Sequence, residues 1–83
     1  MGNVKLLSPP ANYAVVHLPG RAFPGVVFQG DSLHALIADI REVAGETDPE
    51  ERDFALKDII ERLETVQQHY EAVLGKEGIP RPY

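Results

Sequence analysis

A chain of 83 residues with no cysteine and a formal charge of −5 excludes a disulfide-stapled secreted scaffold, thiol chemistry and the basic footprint of a nucleic-acid binder. This length makes one domain, residues 1–83, which buries only about 60% of the surface its unfolded form exposes, so the core is thin. No run of about 20 apolar residues is present to span a membrane, and "MGNVKLLSPPANY" holds too short an apolar run for a signal-peptide core, so the expected location is the cytoplasm.

In chain order, "VKLL" (4–7) reads as a short edge strand, and Ser8-Pro9-Pro10 cannot continue its ladder because proline lacks a donor. "NYAVVHLPG" (12–20) reads as a strand through Tyr13, Val15 and Val16, entered at Asn12 and ended by Pro19-Gly20. "GVVFQG" (25–30) reads as its hairpin partner. From Ser32 the period changes: Leu33, Leu36, Ile37, Ile40, Val43 and Ala44 mark one helix face, with Gly45 as a left-handed stop, so helix 1 is expected over 31–45. Helix 2 is expected over 48–75. Asp48 is its cap, Pro49 stands at N1 and Glu51 at N3, and Leu56, Ile59, Ile60, Leu63, Val66, Tyr70, Val73 and Leu74 form its stripe. At 1.5 Å per residue this helix is about 40 Å long, so one end either extends past the body or packs on a second copy. Residues 76–83, ending "IPRPY", suit an extended tail. The fold class is α+β: a small antiparallel sheet of two or three strands followed by an antiparallel helical hairpin packed on one face.

The letters "GDSL" at 30–33 also name a family of serine esterases. Ser32 would need a base within hydrogen-bond reach and a third group to orient it. His34 is two residues along the same helix and cannot face Ser32, and Val66 stands where an Asp-x-x-His ending at His69 would need its Asp. A helix start explains the same letters, with Asp31 or Ser32 as the cap. His17, His34 and His69 fall one per element with no i,i+4 pair, which gives no metal signature. No cofactor motif is present, and no catalytic residue is assigned.

The charge is uneven. Residues 1–45 hold three Lys/Arg and three Asp/Glu, whereas residues 46–83 hold five and ten. The acidic half suits a basic protein partner. Asp58, Glu61 and Glu64 share a side of helix 2. In "PGRAFPG", two Pro-Gly pairs bracket Arg21 and Phe23, an interface-type pair. Phe23 either points outward or closes the core. Arg81 and Tyr83 flank Pro82 in the tail, which either docks on a partner or lies on its own domain.

The run "NYAVVHLPGRAFPGVVFQGDSL", together with "HYEAVLGKEGIPRPY", resembles a family of short bacterial proteins known as a domain of unknown function. That family shows YAVVxLPGRxFPGxVxQGDSL before two helices and a HYExVL ending. The resemblance carries no activity and implies a bacterial, cytoplasmic setting.

The functional expectation is a non-enzymatic protein-binding module of the immunity or antitoxin type, covering the site of a basic toxin or enzyme. Its candidate contacts are Arg21, Phe23, Glu61, Glu64 and Tyr83. The alternative is a self-associating structural or regulatory subunit, a homodimer. A small-ligand or hydrolytic domain built on Ser32 or the histidines stands third.

Overall fold

A computed structural model describes residues 2–8 and 13–83. Three strands, β1 (Lys5–Leu6), β2 (Tyr13–His17) and β3 (Gly25–Phe28), form an antiparallel sheet in the order β1-β2-β3. The sequence pattern of sheet then helical hairpin is the observed fold. Pro9, Pro10 and Asn12, read above as strand punctuation, lie outside the described residues.

Register decides which strand residues face inward. Val15 pairs with Val26 and Tyr13 with Phe28, so these four share one face. The Tyr13 and Phe28 rings lie 6.3 Å apart. Past β1, Leu7 donates its N–H to the Val15 carbonyl at 2.8 Å. The buried Ser8 hydroxyl then accepts the Val15 N–H at 2.9 Å. A side chain thus replaces the backbone partner beside the prolines.

α1 (Gly30–Gly45) begins one residue earlier than expected. Its N-cap is Gln29, which makes no side-chain cap bond. Neither Asp31 nor Ser32 is the cap: β3 ends at Phe28, and the chain turns into the helix at once. Asp31 instead accepts the Ser32 N–H from within the first turn, at 2.8 Å. Gly45 is not left-handed either. It is the last helical residue, and the extended Glu46 follows with its N–H on the Val43 carbonyl. Pro49 requires an extended residue before it, which makes the connection short and straight.

α2 (Pro49–Glu77) has 29 residues and is about 44 Å long at 1.5 Å per residue. Asp48 caps it as expected, accepting the Glu50 N–H at 3.0 Å, with Pro49 in the first turn. The reciprocal bond comes from Glu46, not Glu51: its carboxylate accepts the Asp48 N–H at 3.0 Å. Gly75 does not stop the helix. Gly78 does, at φ 69°, with its N–H on Gly75 and the Ile79 N–H on the Leu74 carbonyl. This is a Schellman ending.

The core is Val15, Tyr70, Val73 and Leu74, edged by Leu7, Val26 and Ile79. It therefore joins the sheet to the C-terminal half of α2. The N-terminal half of α2 pairs with α1 around Ile59, which is buried, whereas α1 itself buries no residue.

Candidate functional site

The groove between the helices is built by helical spacing. α1 turns Asp39, Glu42 and Val43 toward it, Glu46 follows from the connection, and α2 turns Glu50, Glu51, Phe54, Ala55, Asp58, Ile59 and Arg62. The space is about 680 Å³. Its apolar lining is Val43, Ala55 and Ile59, and Phe54 also lines it, 79% exposed.

Capping chemistry explains the carboxylates at the mouth. Glu46 is held on the Asp48 N–H, and Glu50 and Glu51 fall in the first turn of α2, where the helix dipole favours negative charge. Deeper in, Arg62 contacts Asp39 at 3.0 Å and Asp58 at 3.4 Å. These pairs are about half exposed and add little stability, but they fix the level of α1 against α2. The groove has six carboxylates and one guanidinium, a formal −5 that equals the charge of the whole chain. The other seven Asp/Glu balance the other seven Lys/Arg.

None of the five residues proposed from the sequence lines this groove. Arg21 and Phe23 sit in the hairpin loop, where Gly20 takes φ 76°. The His17 Nε2 meets the Arg21 carbonyl at 2.8 Å, and the Tyr70 hydroxyl donates to the buried Pro24 carbonyl at 2.8 Å. The loop is pinned at both ends while Arg21 is exposed and Phe23 is 41% exposed. Glu61 and Glu64 are exposed on α2 outside the groove. Tyr83 is exposed but anchored: its hydroxyl donates to Glu71 at 2.8 Å, beside an Arg81–Glu71 contact of 3.5 Å. The tail thus lies on its own helix. The groove was foreshadowed by the acidic second half of the chain, but periodicity alone does not say which flank of α2 meets α1.

Ser32 lines a smaller space of about 150 Å³ with Tyr13, Phe28, Leu36, Arg62, Leu63 and Val66. Among the described residues no hydrogen bond joins it to a histidine. His69 lies edge-on to Tyr13, with centroids 5.6 Å apart. No group of three His, Asp or Glu among the described residues is placed to hold a metal ion. No helix among the described residues is long and apolar enough to cross a membrane.

A family model matches residues 1–83, the full length of the chain. The chain belongs to DUF6959, a family of unknown function. No curated protein and no solved structure matches it. For this DUF6959 member the functional reading therefore rests on the groove and the surfaces around it.

Proposed function

We propose that this protein is a non-enzymatic binding module whose acidic groove receives a basic protein partner. The observation that carries the reading is the groove itself: a formal −5 beside the exposed Phe54. Such a surface steers a positive partner at long range and offers an aromatic anchor at contact. The size and acidity of the chain suit an immunity- or antitoxin-type inhibitor that occludes a basic toxin or enzyme in a bacterial cytoplasm. Arg21 and Phe23 form a second exposed patch, held rigid by Tyr70 and His17, and Glu61, Glu64 and Tyr83 are further candidate contacts.

The test is affinity capture of the tagged chain from its own cells. The native protein should retain one stoichiometric partner of basic character, released by raised salt. Glu50→Lys with Glu51→Lys, and separately Phe54→Ala, should lose it while the helical circular dichroism is unchanged. Full retention by both variants would remove the groove from the interface. Loss in Arg21→Ala with Phe23→Ala would then place binding at the loop.

A further inference from the structure

The helical hairpin has a second face, turned away from the groove. On α1, Leu33, Ile37, Ile40 and Ala44 follow one another at steps of four, three and four residues, and on α2 Leu56, Ile60 and Leu63 do so at four and three. This is the seam spacing of helices that pack side by side. Yet the six large residues are each 39–46% exposed. Immediately before seam positions stand Leu36 and Val43 on α1 and Ile59 on α2, with Val66 seven residues further along α2. These are the half-buried or buried residues, and they line the spaces between the two helices. Each helix thus carries two adjacent apolar rows. One row is used within the hairpin and the other is exposed, with Leu63 alone of its large residues also edging the smaller space. Helices of a four-helix bundle carry such a pattern because each packs on two neighbours.

We propose that the bare face is a homodimer interface, in which two hairpins related by a two-fold axis complete a four-helix bundle. Three observations point to a second copy as the occupant. The first is level. Opposition of Asp39 and Arg62 sets Ile37 beside Leu63, Ile40 beside Ile60 and Ala44 beside Leu56, so two copies form three closed layers of four side chains. The second is area. Six side chains exposed to this degree offer on the order of 500 Å² per protomer, so two copies with their polar rim reach the size of a stable dimer. The third is charge. The six groove carboxylates face away from the seam, which removes the main source of self-repulsion. With the axis along the bundle, α1 of one copy lies across α2 of the other. Arg41 then comes level with Ile60, between Glu61 and Glu64 of the second copy. Neither Arg41 nor Glu64 has an ion-pair partner in the monomer among the described residues.

The test is mass in solution, by light scattering on the eluting peak and by sedimentation equilibrium. The native chain should run at twice its monomer mass. Ile37→Glu with Ile60→Glu should run as a monomer with its helical signal retained, because neither side chain is buried in the monomer. Arg41→Glu should raise the dimer dissociation constant about tenfold, consistent with loss of an interfacial ion pair, and Arg41→Glu with Glu64→Arg should recover it. This charge exchange keeps the idea testable should the double glutamate variant not fold. A native monomer at about 100 µM, or a dimer that all of these variants leave intact, would overturn the proposal. The inference stands apart from the groove, and it assigns Glu61 and Glu64 to the second copy rather than to the groove's partner: partner capture is expected to persist in the monomeric variant.

Discussion

Tyr70 ties the loop to the spine of the molecule. Its ring is part of the core, and its hydroxyl donates to the buried Pro24 carbonyl. Tyr70→Phe leaves that carbonyl unpaired and should cost about 1–2 kcal/mol in denaturant unfolding. Burial first, and the neighbouring Tyr83 second, push the Tyr70 phenol above its ordinary pKa. The folded state therefore holds this proton more tightly than the unfolded chain does. The resulting stabilisation is complete below the ordinary phenol range and is lost as pH rises through the elevated folded value. Unfolding free energies measured at increasing pH should accordingly fall above about pH 10, with a shallower fall in Tyr70→Phe. Ser8 makes the complementary point about polar groups. Its hydroxyl satisfies the buried Val15 N–H. The prolines beside it showed where the ladder had to stop, but Ser8's role depends on the register of β1 against β2, a long-range property.

At the scale of elements, two glycines three residues apart behave differently. Gly75 lies inside α2 with open space where a Cβ would go, whereas Gly78 ends the helix at φ 69°. Gly75→Ala should stabilise by about 0.5–1 kcal/mol. Gly78→Ala should destabilise by about 1–2 kcal/mol. Thermal melts of the two variants should move in opposite directions from the native midpoint. In sequence the two positions look alike. What separates them is Ile79, which packs against the core and carries its N–H to the Leu74 carbonyl. The strands, both helices and the Asp48–Pro49 start were legible because each depends on local pattern. The Glu46 bond to Asp48 was not, because it needs the connection between helices to be short. For α1 the period correctly marked an apolar face. It could not tell that the helix would roll so that Leu36 and Val43 meet α2 while Ile37 and Ile40 face outward.

As a whole the molecule is a rod of 49 × 23 × 20 Å with α2 as its spine. One half of the spine is covered by the sheet and the other by α1. Leu74 is fully buried at the centre of the first half. Leu74→Ala should cost about 2–5 kcal/mol, a large share of the stability of so small a domain. Phe54→Ala, at an exposed site, should change stability by no more than about 0.5 kcal/mol. Urea titrations followed by circular dichroism would check both, and they would separate the residue that holds the fold from the one assigned to the groove. The core contact between Tyr70 and the hairpin spans 46 residues of sequence. A chain emerging from synthesis therefore forms its hairpin early and leaves it without a cover until the last turns of α2 arrive. Helix formation and hairpin closure are local and fast, whereas this docking must first close the long loop between them. The closing of the Schellman turn onto the sheet is thus the event that ends the chain's exposure to proteases and chaperones.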